Sequence, residues 1–301
     1  MSRIYEALRR ADLEKEGQVE QPLKLIGPPE DPGLADITPL VTENVVKRHW
    51  TPSLEAIPAL RERDEVVEQF RGLRSQLAQA RQEGPLKTVL ISSGMPSEGK
   101  SFIALNLAVS LARGSKNRVL LIDGDLRRPT LHKSLGASNN PSLLDYLDGS
   151  AELSEVLQYN DAKGDASSAG LAELAFIAAG TYANNSSDLI IGGRLESLIL
   201  SVAQQFDWIL IDSPPVLAVP DAVDIARFVD GVLLVAREAK TPYQVIQRAQ
   251  AAFSQSRLLG VVLNAAKGTR LKRYHYSTYF RSYYDGIEPS QNSERKMKVR
   301  S

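Results

Sequence analysis

The run Gly94-Met-Pro-Ser-Glu-Gly99-Lys100-Ser101 restricts the fold of this chain more than any other feature. It follows the apolar run TVLISS and opens a stretch with helical periodicity. A G-x-x-x-x-G-K-[ST] segment set between a strand and a helix is a phosphate-binding loop. Its glycines let backbone N–H groups turn inward around phosphate oxygens, and the helix N-terminus adds a favourable dipole. Gly94, Met95, Pro96, Ser97, Glu98, Gly99, Lys100 and Ser101 are therefore expected to form a nucleotide cradle. Lys100 would reach the β- and γ-phosphates, and Ser101 would ligate Mg²⁺.

The rest of the chain fits that unit. Short apolar runs at 88–93, 118–123, 174–178, 208–212, 231–236 and 259–265 read as strands, and patterned stretches at 61–82, 100–113, 187–205, 221–228 and 242–256 read as helices. Alternation of this kind specifies an α/β fold of the P-loop NTPase type, with a mostly parallel sheet covered by helices on both faces. Before it, residues 1–16 carry one narrow apolar stripe and read as a small helix. Residues 17–60 hold seven of the 16 prolines and read as a linker. The domain itself is expected over 61–266, followed by a flexible tyrosine-rich tail at 267–301.

Thirty-six basic and 36 acidic side chains cancel, so the overall charge names no partner. The tail differs: nine basic residues against Asp285, Glu288 and Glu294 leave it at plus six, on a body at minus six. A nucleic-acid binder would spread basic charge over a folded face, so no nucleic-acid partner is expected. The absence of cysteine excludes disulfides, thiolate metal sites and cysteine nucleophiles. No apolar run approaches the roughly 20 residues that span a bilayer, and the N-terminus has no apolar signal core, so a cytoplasmic location is expected.

Two further segments carry chemistry. VLLIDGDLRRP places Asp123 and Asp125 at the end of one strand, and WILIDSPP ends another at Asp212. Open α/β sheets bind ligands at these strand ends, so the three carboxylates would converge beside the phosphate loop and, with Ser101, organise Mg²⁺. If the strand geometry persists, residues two apart point the same way, so Asp123 and Asp125 are both candidates to take a proton from a phenol, which is protonated at neutral pH. Arg127 and Arg128 follow, suited to phosphate charge or to a neighbouring acidic surface, with a solvated basic turn an equal reading.

These motifs resemble those of the bacterial tyrosine kinases, in particular the stand-alone autokinases of exopolysaccharide loci: GMPSEGKS as Walker A, VLLIDGDLRRP as the family's second motif, ILIDSPP as Walker B, and YHYSTYFRSYY as the C-terminal tyrosine cluster. The resemblance implies an ATP- and Mg²⁺-dependent protein-tyrosine autokinase, with Lys100, Asp123 and Asp125 catalytic, Ser101, Asp125 and Asp212 at the metal, and Tyr274, Tyr276, Tyr279, Tyr283 and Tyr284 as phosphoacceptors. It implies that Glu68, Arg71 and Arg74, which match an E-x-x-R-x-x-R helix motif, join subunits in a ring. Asn264 matches a position that contacts the nucleobase, though a plain strand-ending turn is an equal reading. The implied partners are a transmembrane co-polymerase that regulates chain length and recruits the kinase to the membrane's inner face, and a phosphotyrosine phosphatase. The family's usual glycine is replaced by Ser97. The rival readings are a MinD- or ParA-like ATPase, whose extra lysine would stand where Met95 is, and a nucleotide-gated scaffold without kinase activity.

Overall fold

The computed structural model describes residues 46–61, 65–115, 117–161, 171–183 and 186–266. The expected N-terminal helix, the tyrosine cluster from Tyr274 to Tyr284 with its tail, and the linker before Val46 lie outside them.

In chain order the elements are β1 (Val46–Arg48), a 3₁₀ turn (Pro58–Leu60), α1 (Glu65–Gln82), β2 (Thr88–Ser93), α2 (Lys100–Ser115), β3 (Val119–Asp123), α3 (Leu131–Leu135), α4 (Leu143–Asp148), α5 (Leu153–Val156), β4 (Gln158–Asn160), β5 (Leu174–Ile177), α6 (Ser186–Ile191), α7 (Arg194–Val202), β6 (Trp208–Asp212), α8 (Asp221–Ile225), β7 (Gly231–Arg237), α9 (Tyr243–Ala252) and β8 (Leu258–Asn264). The strands form one sheet in the order β1-β4-β5-β3-β6-β2-β7-β8. From β5 to β8 all neighbours are parallel, while β4 runs antiparallel to β5 and carries β1 alongside it.

The central strands are apolar on both faces because both faces are covered, and successive side chains go to opposite layers. Leu121 and Leu210 pack with Phe70, Leu77, Leu107 and Leu111 beneath α1 and α2. Ile122, Ile209 and Ile211 pack on the other face with Leu198, Val202, Ile225 and Phe253 from α7 to α9. The mostly parallel, helix-covered sheet expected from the sequence is thus the one observed.

Three local expectations change. The linker does not extend to Leu60: Trp50 is fully buried edge-on against Phe176, with ring centroids 6.2 Å apart, and its backbone N–H donates to Asn160 Oδ1 at 3.1 Å. Ile57 is also fully buried, and Asn106 Oδ1 accepts from the Ala59 N–H at 3.0 Å. Here proline marks a structured entry, since Pro58 opens the 3₁₀ turn. The helix expected over 187–205 is two helices, broken at Gly192-Gly193 where Gly193 has φ +85°. The short elements α3, α4, α5, β1 and β4 add to those expected, because three to six residues hold too little periodicity to detect.

Candidate functional site

β3, β6 and β2 are neighbours in the sheet, so the loops leaving their C-terminal ends meet. Asp123 and Asp212 are register partners across β3 and β6. The chain then turns sharply at Gly124, whose N–H donates to the Asp212 carbonyl at 2.8 Å. A Cβ there would stand 2.6 Å from that same oxygen, so only glycine lets the loop sit on the end of β6. This turn corrects the expectation that Asp123 and Asp125 point the same way, because the strand ends between them. Asp123 faces inward: Oδ2 accepts from the N–H groups of Thr130 and Leu131 at 3.2 and 3.1 Å, and Oδ1 from Asp125 N–H at 3.3 Å. Asp125 instead meets the lysine of the phosphate loop.

Lys100 Nζ donates to Asp125 Oδ2 at 2.9 Å, lies 3.9 Å from Asp212 Oδ1 and 3.3 Å from Ser101 Oγ. Asp123, Asp125 and Asp212 are 0%, 3% and 0% exposed, so the three acids are buried beside the Lys100 cation. Burial lowers the Lys100 pKa, but the three carboxylates outweigh it and the group stays charged with its pKa raised. Burial, reinforced by the nearby Asp212, pushes Asp123 up to about 8 against its backbone hydrogen bonds. Burial also pushes Asp212 up, although Lys100 and Ser101 oppose it. Both Asp212 oxygens are buried without a hydrogen bond of normal geometry among the described residues. An orphaned buried carboxylate beside a serine hydroxyl fits a hard divalent cation such as Mg²⁺. Among the described residues no three acidic or histidine side chains close around one point. A metal held here would therefore take Ser101, Asp125 and Asp212 directly or through water, with phosphate oxygens completing its shell.

The phosphate loop is braced from the side of β7 and β8. Ser97 has φ +65° and Gly99 φ +96°. Glu98 is buried, accepting from the Met95 N–H at 2.7 Å and from the Thr241 hydroxyl. Asn264 Nδ2 donates to the Glu98 carbonyl at 2.9 Å, and Arg237 Nη1 to the Ser97 carbonyl at 3.1 Å. A Cβ on Gly99 would lie 1.9 Å from Asn264 Nδ2, so the two residues are fitted to each other. Asn264 is thus a brace of the loop and also the residue that ends its strand in a turn, its Oδ1 accepting from the Ala265 N–H at 2.8 Å. Met95, Pro96 and Ser97 form the exposed tip.

Beside the loop runs a cleft of about 520 Å³, whose walls include Lys100, Ser101, Asp125, Arg127, Arg128, Tyr182 and Pro214. Arg127 is anchored at its rim by Asp221, a fully buried residue at the start of α8. Nε donates to Oδ2 at 3.1 Å and Nη2 to Oδ1 at 3.4 Å. Ser186 and Ser187 hydroxyls donate to the same carboxylate at 2.7 and 2.5 Å. Burial would raise the Asp221 pKa, but these hydrogen bonds hold it below the usual carboxylate range. Asp221, Thr241, Arg237 and Tyr182 are not legible as site residues in the sequence, since no motif links positions so far apart in the chain.

The three residues expected at a subunit interface lie on α1 and do not act together within the chain. Glu68 Oε1 and Arg71 Nη1 form an exposed pair at 2.5 Å. Arg74 turns the other way, its Nη1 donating to the Ser110 carbonyl on α2 at 2.7 Å.

A family model described as the CobQ/CobB/MinD/ParA nucleotide binding domain matches residues 89–288. The tyrosine-protein kinase YwqD of Bacillus subtilis (strain 168) is 32% identical over 211 residues, which cover 69% of this chain and 85% of that protein. The putative tyrosine-protein kinase EpsB of Ralstonia solanacearum is 35% identical over 226 residues, 72% of this chain and 29% of that protein. This chain therefore spans under a third of the length of EpsB. Among solved structures, the kinase domain of the Escherichia coli tyrosine kinase ETK superposes with a TM-score of 0.65 at 31% identity, covering 74% of this chain and 84% of that one. The septum site-determining protein MinD of Pyrococcus horikoshii OT3, complexed with Mg-ADP, gives 0.51 at 23% identity over 62% and 72%, a likeness of fold alone.

Proposed function

The chain belongs to the bacterial tyrosine kinases, and from that membership we propose that it is an ATP-dependent protein-tyrosine autokinase that modifies its own C-terminal cluster. The observation that carries the reading is the convergence of Lys100 with Asp125 and Asp212, at 2.9 and 3.9 Å, on the wall of an open cleft. The backbone of residues 94–101 would hold the phosphates, with Lys100 leaving Asp125 for their oxygens as they enter. Mg²⁺ bound by Ser101, Asp125 and Asp212 would neutralise charge on the phosphates. Asp125 lines the cleft while Asp123 lies behind it, tied to the Thr130 and Leu131 amides. Asp125 is thus the better placed of the two to accept the phenolic proton, and Asp123 to orient the loop that carries it. Positioning and charge stabilisation supply most of the rate in such transfers.

Tyr274, Tyr276, Tyr279, Tyr283 and Tyr284 are the proposed acceptors, Asn264 a proposed contact to the base, and Glu68, Arg71 and Arg74 the proposed contacts between subunits of a ring. The resemblance of its motifs to those of the kinases of exopolysaccharide loci supports a role in exopolysaccharide production. No helix among the described residues is long and apolar enough to cross a membrane. We assign the chain to the cytoplasm, recruited by a transmembrane co-polymerase and reversed by a phosphatase. A MinD-like positioning ATPase is disfavoured because Met95 stands where its additional lysine would be.

Phosphotyrosine mapping by mass spectrometry after incubation with ATP and Mg²⁺ tests the reading. Phosphate on Tyr274 to Tyr284 in the wild type, and none in Lys100→Met, is the expected result. Nucleotide hydrolysis without phosphotyrosine, even with the cytoplasmic segment of the co-polymerase present, would overturn it.

A further inference from the structure

Arg127 sits in an acidic neighbourhood that should draw it away from the cleft wall. Asp125 is two residues off in the same loop, with Asp123 and Asp212 nearby, and among the described residues Lys100 is the cation that pairs with Asp125 and Asp212. A free guanidinium on this loop would fall onto those carboxylates and compete there with Lys100 and with any metal. It does not, because Asp221 holds it in a fork at 3.1 and 3.4 Å. Asp221 is itself unable to move. It is 0% exposed, and its two oxygens also accept from Ser186 and Ser187, which start α6, so four donors fill one carboxylate. A guanidinium has five N–H donors, of which two are used here. The other three make no hydrogen bond among the described residues, and the side chain remains 27% exposed on the cleft wall.

From this arrangement we propose that Asp221 is a positioning residue: seated by Ser186 and Ser187, it keeps the Arg127 guanidinium out of the carboxylate cluster and aims its free N–H groups at the terminal phosphoryl of the nucleotide. Arg127 is then a contact for the anion being transferred, from the wall of the same cleft that the phosphate loop lines. Its free donors meet charge that is present in the triphosphate and absent in the diphosphate. The inference deepens the kinase reading and rests on it for the reaction served, but the contact itself requires only that a nucleotide occupy the loop.

A double-mutant cycle of Arg127→Ala and Asp221→Asn in the full chain tests this with a probe that needs no acceptor tyrosine. The quantity read is the ratio of affinities for ADP with beryllium fluoride, which mimics the terminal phosphoryl, and for ADP alone, both with Mg²⁺. A charge-assisted contact corresponds to about a 10- to 100-fold change in that ratio. Each single variant is expected to lose it, and the double variant to lose no more than Arg127→Ala alone. Because both affinities come from the same preparation, partial unfolding lowers them together and leaves the ratio intact. Arg127→Lys, which keeps the charge and loses the fork without touching the buried carboxylate, is expected to behave like Asp221→Asn. A wild-type ratio in Asp221→Asn, or losses that add in full, overturns the proposal. If wild-type protein forms no phosphotyrosine while the cycle comes out as expected, the kinase reading falls and the positioning role stands. If phosphotyrosine forms while the cycle is additive, the kinase reading stands and the positioning role falls.

Discussion

Gly124 lies where the loop after β3 crosses the end of β6, and a single added methyl group there would press on the Asp212 carbonyl at 2.6 Å. Backbone cannot yield as a flexible side chain does, so Gly124→Ala is expected to cost about 1–3 kcal/mol. It also moves Asp125 relative to Asp212 and weakens Mg·ADP binding, which urea denaturation and calorimetric titration would read separately. Asp123 makes a second prediction possible. Its folded pKa of about 8 lies far above that of an unfolded aspartate, so the native state holds a proton the unfolded state has released. Stability of the protein free of metal and nucleotide therefore falls as pH rises from about 4 to about 8, by at most roughly 1.4 kcal/mol per pH unit, and the slope vanishes above the folded pKa. Asp123→Asn removes this contribution. The difference in unfolding free energy between wild type and variant should shift against the wild type across that window. A parallel pair of pH profiles would show Asp123 to be ionised throughout.

At the scale of elements, the segment from β1 to the 3₁₀ turn behaves as core. Trp50 fills a site against Phe176, and Trp50→Ala is expected to cost about 3–5 kcal/mol in urea denaturation, where an unpacked linker residue would cost nothing measurable. The sequence leads to the opposite expectation here, for a physical reason. Proline density reports on backbone freedom, but a single large aromatic such as Trp50 or a branched side chain such as Ile57 can anchor a segment between its prolines, and for Trp50 that depends on a partner more than a hundred residues away. The elements legible in the sequence are those whose cause is local. The apolar runs of β2, β3 and β6, the loop at 94–101 and the carboxylates ending β3 and β6 each announce themselves within about ten residues. The Asp221 seat for Arg127 and the Glu98–Thr241 brace are built from side chains 94 and 143 residues apart, and no periodicity encodes them. Even the pair Asp123 and Asp125, adjacent in one motif, diverges because a glycine turn ends the strand between them.

For the whole molecule, assembly is where the three α1 residues separate. Glu68 and Arg71 form an exposed pair, and such pairs contribute less than about 1 kcal/mol to a fold. Replacing both by alanine should therefore leave urea stability nearly unchanged, while sedimentation velocity shows smaller species if the ring exists as proposed. Arg74→Ala should also lower the stability of the single chain, by about 1–3 kcal/mol, because its guanidinium ties α1 to the Ser110 carbonyl of α2. Equal loss of stability from both sets would contradict this division of labour.

The last strand ends in an unusual place. Asn264 closes β8 and, through its side chain, grips the carbonyl of Glu98 inside the phosphate loop. A pull on the chain that continues beyond Ala265 would meet two ties at this one residue: the side chain to the nucleotide cradle, and the Asn264 carbonyl, which accepts from the Glu238 N–H at 2.9 Å beside β7. The same coupling works in reverse: a loop stiffened by its nucleotide makes a firmer anchorage for whatever hangs from that strand. Asn264 is thus the residue at which the sheet's edge, the phosphate loop and the onward chain are joined.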